Sequence, residues 1–205
     1  MNNQIEGLHE IHITTDPKDL FGLRMFCMEQ KLKPILAVAG YGDFPVQPMF
    51  SKFKNGTSLE VIERAKEMER IMTDSYGIRV VRVKVEAMMH NKGVPVDPVS
   101  QCPEGSYFEF HLKIPVTDLQ EWNRLADICK EKNAHISFNA FKKETIPLVT
   151  LRLPGHIGSK KAIELKDELM EWLKSNGFHS NSGIQCEYSV YDTNMGLDKG
   201  WLPKV

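Results

Sequence analysis

The sequence predicts an α+β protein made as a tandem duplication of a ferredoxin-like βαββαβ unit, with two antiparallel four-stranded sheets that each carry helices on one face. One observation is a pair of Glu-x-His tripeptides, 10–12 and 109–111, whose histidines lie 99 residues apart (111 − 12 = 99). A second is that other anchors recur at the same spacing, namely Pro48 with Pro147 and Gly56 with Gly155. A third is that both halves show the same succession of strand and helix patterns.

The first unit is predicted over residues 1–90. Alternating apolar residues predict strands over 8–14, 35–39, 49–54 and 79–87. Asp16 followed by Pro17 is typical of a helix start, and that helix is expected to run to about residue 31. Thr57 with Glu60 forms a capping-box pattern for a second helix, which Gly77 is expected to end.

The second unit is predicted over residues 106–192, with strands over 107–114, 134–140, 148–153 and 184–192. Thr117 with Gln120 is expected to cap its first helix, and Ser159 to open its second. The segment 91–105 holds three prolines and two glycines and is predicted to be a linker. The tail 193–205 has no clear periodicity, and packing of its Trp201 on the surface is favoured over a role as a lid.

Composition and charge argue against several classes of partner and compartment. A formal net charge of −1 provides no overall attraction to nucleic acid or to a membrane surface. The four cysteines are scattered and form no C-x-x-C pair, which argues against a zinc ribbon or a disulfide framework. The N-terminus lacks the pattern of a signal peptide, and no run of about 18 apolar residues is present. We therefore expect a cytoplasmic protein.

Strand alternation predicts which side chains point to the face of each sheet that the helices do not cover. In the first unit the outward set is expected to include Glu10, His12, Thr14, Arg82, Lys84 and Glu86. In the second unit it is expected to comprise Glu109, His111, Lys113, His135, Ser137, Asn139, Arg152 and Glu187. If the two open faces turn toward each other or toward a shared cleft, these charges become enclosed. Burying charge without a partner is costly, so an enclosed polar face is a candidate site.

The first functional hypothesis is acid–base catalysis on a phosphoester or another small anionic substrate. Histidine changes its charge near neutral pH, so two of them can accept and return a proton within one turnover. The predicted catalytic residues are His111, His135, Glu109 and His12. The predicted substrate-binding residues are Arg152, Lys113, Asn139 and Ser137, of which the two cations would stabilise developing negative charge.

The tripeptides His12-Ile13-Thr14 and His135-Ile136-Ser137 resemble the His-x-Thr or His-x-Ser motifs of the two-histidine phosphoesterases. That family carries one motif on a strand of each of two pseudo-symmetric lobes, so the resemblance implies phosphoester chemistry at these histidines. It covers only the two tripeptides and the bilobal plan. The chain departs from the family because the repeat partner of His12 is His111, which is followed by Leu112-Lys113.

The second hypothesis is a metal-dependent enzyme. Glu109, His111, His135 and Glu187 offer imidazole and carboxylate ligands of the kind that zinc, iron or manganese accept. A divalent transition metal would then be the cofactor. Residues two apart on a strand share a face and lie about 7 Å apart along it, which allows one ion between them.

A third hypothesis is a non-catalytic protein that binds a small ligand or RNA. RNA recognition on such a sheet uses aromatic side chains exposed on central strands. Phe108 and Phe110 fall instead in the set expected to face the helices, so a small-molecule partner is favoured over nucleic acid. The sequence contains no indication of an oligomeric state.

Overall fold

The antiparallel strands of the protein form one closed sheet, as seen in a computed structural model that describes residues 4–103, 105–142, 146–180 and 182–200. Within those ranges the strands are β1 (Glu6–Thr15), β2 (Pro34–Ala39), β3 (Val46–Thr57), β4 (Val80–Met88), β5 (Tyr107–Lys113), β6 (Ala134–Asn139), β7 (Leu148–Pro154) and β8 (Gln185–Asp192). The helices are α1 (Leu20–Glu29), α2 (Ser58–Tyr76), α3 (Leu119–Glu131) and α4 (Gly158–Ser175).

The strands close into a barrel in the order β1-β3-β2-β6-β7-β5-β8-β4. Antiparallel pairing joins the halves at two seams, β2 with β6 and β4 with β8. The prediction of two four-stranded sheets is therefore wrong, because the edge strands of one half pair with the edge strands of the other half. A closed barrel leaves no unpaired sheet edge, which is a physical reason for the two sets to merge.

Both halves contain strand, helix, strand, strand, helix and strand in that order, and the strand neighbours are the same in each half. This is a mixed α+β arrangement with antiparallel strands, consistent with the predicted ferredoxin-like units. The apolar core forms two clusters outside the barrel wall. One includes Ile11 and Ile13 under α1 and α2, and the other includes Phe108 and Phe110 under α3 and α4.

Local capping explains where two of these helices begin. Thr57 and Glu60 form the predicted capping box at the start of α2, in which each side chain accepts from the backbone amide of the other residue. At α3 the prediction was wrong by one residue. Asp118 is the N-cap there and accepts from the Glu121 amide, while the Thr117 amide donates to the Glu121 carboxylate.

The predicted linker 91–105 is packed against the barrel in its described part. Val94 is buried in the second core cluster, and the Asn91 amide nitrogen donates to the Leu8 carbonyl at 2.7 Å. Gly158 has a φ of +77°, and a Cβ there would lie 2.5 Å from the backbone of Asp97. Only glycine fits this close crossing between the segment and the start of α4.

The strand alternation predicted from the sequence is confirmed by burial and core contacts. Apolar positions of β1 and β5 pack under the helices, and the intervening polar positions point into the barrel. No helix within the described ranges is long and apolar enough to cross a membrane.

Candidate functional site

The barrel interior is polar and charged. An eight-stranded barrel is just wide enough for side chains to fill, so its inward residues must satisfy one another or a ligand. Ionisable side chains that are less than a tenth exposed include Glu10, Arg82, Lys84, Glu86, Glu109, Arg152, Glu187 and Asp198. With their neighbours they form two groups, which we call the histidine–glutamate cluster (Glu10, His12, Glu86, His111 and Glu187) and the arginine cluster (Arg82, Arg152, Asp192 and Asp198). Lys84 and Glu109 lie between the two clusters.

Two histidines hold corresponding positions in the histidine–glutamate cluster. His12 Nε2 lies 3.1 Å from Glu86 Oε2, and His111 Nε2 lies 3.5 Å from Glu187 Oε2. Both glutamate side chains are fully buried, whereas the imidazoles are 17% and 16% exposed. The more exposed member of each pair is thus the histidine, although the Nε2 atom of His12 is itself buried. Burial lowers the pKa of His111 below its ordinary value, so its imidazole is neutral and able to accept a proton at neutral pH.

Glu10 and Glu187 form a carboxyl pair between the halves. Gln185 Nε2 bridges them, donating to Glu10 Oε2 at 2.6 Å and to Glu187 Oε1 at 2.9 Å. Burial, reinforced by the nearby charges of Glu86 and Glu10, raises the pKa of Glu187 well above its usual range. Burial also opposes the charge of Glu10, but attraction by His12 leads the effects that lower its pKa. Glu187 is therefore the member of the pair that holds its proton more tightly.

This raised pKa predicts that Glu187→Gln stabilises the metal-free protein at about pH 8, by about 1–3 kcal/mol, since an acid that resists ionisation is replaced by a neutral isostere. The folded state holds the Glu187 proton more tightly than the unfolded state. The protonated Glu187 side chain makes its full contribution to the stability of the folded protein below the unfolded-state pKa of about 4.3. That contribution is lost as the pH rises through the folded-state pKa of Glu187. Urea unfolding with a chelator present measures the difference. A variant that is less stable at pH 8, or equally more stable at pH 4, would contradict the assignment.

Lys84 connects the two halves of the interior. Its Nζ lies 2.9 Å from Glu86 Oε2 and 2.7 Å from Glu109 Oε2. Arg152 approaches the other oxygen of Glu109 at 2.9 Å. Burial opposes the charge of Glu109, but Lys84 and then Arg152 hold the pKa of this carboxyl well below its usual range. Glu109, predicted to be catalytic, is therefore an ionised partner of two cations.

The arginine cluster closes the opposite end of the barrel, because β8 runs from Gln185 at one end to Asp192 at the other. Arg82 donates to Asp192 and to both oxygens of Asp198, at 3.0 and 2.8 Å for the latter. Arg152 donates to Asp198 Oδ2 at 2.6 Å and stacks its guanidinium 4.0 Å above the Tyr107 ring. Asp198 belongs to a short 3-10 helix, Met195–Asp198, that follows β8.

His135 lies on the same side of the sheet as His111, with Thr150 of β7 as the register partner of both. Its ring packs edge-on against Tyr41, with centroids 4.6 Å apart. Burial lowers the pKa of His135 to about 3, so this imidazole stays neutral near physiological pH. A side chain with that pKa is not a proton donor there.

The predicted substrate-binding residues other than Arg152 have varied surroundings. Lys113 is exposed at the end of β5, two residues beyond His111 and at the Gln185 end of the barrel. Ser137 is buried at the seam, where β6 pairs with both β2 and β7. Asn139 has a structural role because its Oδ1 accepts from the Leu36 and Phe141 amides at 3.2 and 3.1 Å.

The described residues bring together a set of candidate metal ligands that differs from the predicted one. One atom each from Glu10, His12 and Glu187 lie within 4.8 Å of one another. Glu187 is common to both sets. Of the other predicted ligands, Glu109 is held by cations, and His111 lies beside Glu187 and Glu109 at 3.5 and 3.6 Å.

Several interior residues had no signal that sequence reasoning could use. Asp198 lies in the aperiodic tail, and Gln185 and Asp192 stand at strand ends, where alternation is weakest. Glu10, Arg82, Lys84 and Glu86 were predicted to face outward, but nothing local indicated that they would meet the second half. The rest of the predicted tail, residues 201–205 including Trp201, lies outside the described residues.

The chain matches no protein-family model, and no curated protein resembles it at a significant level. Among solved structures it is similar to a putative glycine cleavage system transcriptional repressor, with 8% identity, 90% of this chain and 97% of that chain covered, and a TM-score of 0.26. It is also similar to the acetolactate synthase small subunit of Thermotoga maritima, with 14% identity, coverages of 91% and 96%, and a TM-score of 0.23. A third is a dye-decolorizing protein of V. cholerae, with 9% identity, coverages of 90% and 93%, and a TM-score of 0.25. Likenesses this distant carry no argument about function.

Proposed function

We propose that the protein is an enzyme that acts on a small anionic molecule, such as a phosphoester, by acid–base catalysis in the barrel interior. The observation that carries the proposal is the pair of partly exposed imidazoles, His12 and His111, each within 3.5 Å of a fully buried glutamate. In this proposal the two Glu-x-His strands are copies of a duplicated unit, and each copy contributes one histidine–glutamate pair to a shared site.

The pKa shifts give the second pair complementary roles. His111 has a lowered pKa and is a neutral base, while Glu187 has a raised pKa and is a neutral acid. Neighbouring groups whose surroundings push their pKa values apart are typical of acid–base sites. Catalysis then requires His111 deprotonated and Glu187 protonated, so the rate should be greatest between their two pKa values.

Access and charge support a small anionic substrate. His111 is the register partner of Gln185, which is exposed, and both lie near the end of the barrel where Lys113 reaches solvent. A lysine at that rim attracts an anionic group and guides it toward the imidazoles. The glutamates of both pairs are fully buried, so the proposal favours a small molecule or the end of a larger one as substrate.

The test is turnover by the purified protein of p-nitrophenyl phosphate, bis(p-nitrophenyl) phosphate and a p-nitrophenyl carboxylic ester, measured against pH with and without a chelator. Chelator-resistant release of p-nitrophenol from a phosphate ester, with a bell-shaped pH profile, is the expected result. Release from the carboxylic ester alone would overturn the substrate class, and no release from any of them would overturn the proposal.

A metal-dependent reaction is the second candidate, favoured by the closeness of Glu10, His12 and Glu187. Two carboxylates and one imidazole with positions left for substrate are a ligand set that zinc or manganese accepts at catalytic sites. In this case the Glu10–Glu187 pair would lose its proton to bind the ion, because ligands bind metals in their deprotonated form.

Calorimetric titration of the chelator-treated protein with Zn²⁺ and Mn²⁺ tests this candidate without an assay of activity. We expect one ion per chain, and we expect Glu10→Gln and His12→Gln each to weaken binding by at least about tenfold. The control is Glu69→Gln, at a partly exposed position on α2. Absence of binding by the unaltered protein, or equal binding by all variants, would exclude the metal site.

A further inference from the structure

We propose that Arg82 and Arg152 form a binding site for the phosphate group of a small molecule, and that Asp198 of the tail occupies this site in the absence of ligand. The site is separate from the two histidine–glutamate pairs and lies at the other end of the barrel. It does not depend on the proposed function, because it requires only binding.

The geometry around Asp198 is that of anion recognition. Its carboxylate accepts from Arg82 through both oxygens, at 3.0 and 2.8 Å, and from Arg152 at 2.6 Å. Guanidinium groups bind carboxylate and phosphate in the same way, through charge-assisted and often paired hydrogen bonds. Asp198 therefore holds the position that the oxygens of a ligand would take.

Both arginines are prepared to receive an anion. Each is about 95% buried, and each keeps one partner that does not come from the tail, Asp192 for Arg82 and Glu109 for Arg152. Stacking on Tyr107 further fixes the plane of the Arg152 guanidinium. Removal of Asp198 would leave the two cations in place but short of negative charge, which is costly in the interior.

The tail is held on the barrel by polar contacts and by the buried Leu197 side chain. Gln47 Nε2 donates to the Leu197 carbonyl at 3.2 Å, and the exposed Lys199 pairs with Asp43 at 2.9 Å. A pocket of about 430 Å³ lies directly outside, with Gln47, Asn194 and Leu197 in its wall. The Met195–Asp198 turn contributes Leu197 to the wall of this pocket and Asp198 to the arginine cluster.

A phosphate group is the ligand that can displace this occupant. The carboxylate of Asp198 has the advantage of attachment, which corresponds to an effective concentration in about the millimolar range. A phosphate monoester carries nearly two charges and three strong acceptor oxygens, compared with one charge and two oxygens for a carboxylate. Acetate should therefore fail where phosphate succeeds.

The test is titration calorimetry of the protein and of Asp198→Asn with inorganic phosphate, glycerol 2-phosphate and acetate. The variant should bind the phosphate compounds at least about tenfold more tightly than the unaltered protein, because the internal competitor has lost its charge. Asp97→Asn removes an exposed partner of Lys160 at another part of the surface and should leave affinity unchanged. Tighter binding of glycerol 2-phosphate than of inorganic phosphate would assign the site to an esterified ligand, and the reverse to the free ion.

Hydrogen exchange of the unaltered protein decides the matter even if Asp198→Asn does not fold. Phosphate should increase exchange at the amides of Leu197 and Lys199, which bond within the tail, while the amides of β4 become no less protected. Faster exchange confined to the tail supports displacement of Asp198. No binding by the variant, or unchanged exchange in the tail at a saturating phosphate concentration, would overturn the proposal.

Discussion

Replacing either His12 or His111 with asparagine should lower kcat/KM for a phosphate ester by about 10²–10⁴-fold, the usual contribution of an acid or base group. Asparagine keeps a polar side chain near the buried partner of each histidine, Glu86 or Glu187, but it cannot exchange a proton. The free energy of unfolding should change much less than the rate, since both imidazoles are partly exposed. Steady-state kinetics together with urea unfolding separates the two effects.

The matched control is His90→Asn, at an exposed position outside the barrel, which should leave the rate unchanged. The double variant of His12 and His111 should lose little more activity than the stronger single one, because residues that act as a unit are not additive. If both single variants kept full activity, the histidines would be structural and the acid–base proposal would fail.

Lys84→Met should lower the free energy of unfolding by about 3–5 kcal/mol at pH 7, the cost of removing one partner from a buried ionic group. Lys84 lies within 3 Å of both Glu86 and Glu109, and these carboxylates are almost completely buried. Methionine matches the length of the lysine stem, so the effect reports charge rather than packing. Chemical denaturation measures it, with the exposed Lys54→Met as the control.

The effect of Lys84→Met should shrink in acid. Because the pKa of Glu109 is held well below its usual range, its ionised form stabilises the folded protein above the unfolded pKa of about 4.3. That contribution is lost as pH falls through the folded-state pKa of Glu109. The loss is smaller in the Lys84→Met variant, because Glu109 has lost one of its two cationic partners there. Adding Glu109→Gln to Lys84→Met should restore part of the stability at pH 7. A loss that does not vary with pH and is not relieved by the second change would point to packing as its cause.

Some features of the molecule could be read from local pattern. Strand alternation placed Ile11 and Phe110 under the helices and Glu10, His12 and His111 on the opposite face, because successive side chains of a strand point to opposite sides. The capping box at Thr57 was equally local, since its partners lie three residues apart. Alternation therefore placed His12, His111, Glu109, Arg152 and Glu187 on the face that lines the barrel interior, where the structure has them.

Which of these side chains meet could not be read in this way. Prediction placed His135 with His111 in one proton-transferring pair. In the structure burial lowers the pKa of His135 to about 3, and His111 lies beside Glu187. Gln185 reaches Glu10 across 175 residues of sequence (185 − 10 = 175), and Asp198 reaches Arg82 across 116. The spacing of apolar residues along the sequence does not predict contacts between residues so far apart.

The sequence alone determined the order of strands and helices and the polar face of each strand, because these follow from backbone geometry and from the spacing of apolar residues. Only the tertiary structure decided that the two sets of strands share one barrel, that Glu10 and His12 lie near Glu187, and that Asp198 bridges two arginines. The reason is physical, since these contacts form only when edge strands from opposite halves pair and close the barrel. The free energy of that closure is distributed over the whole sheet, so no single position in the sequence indicates it.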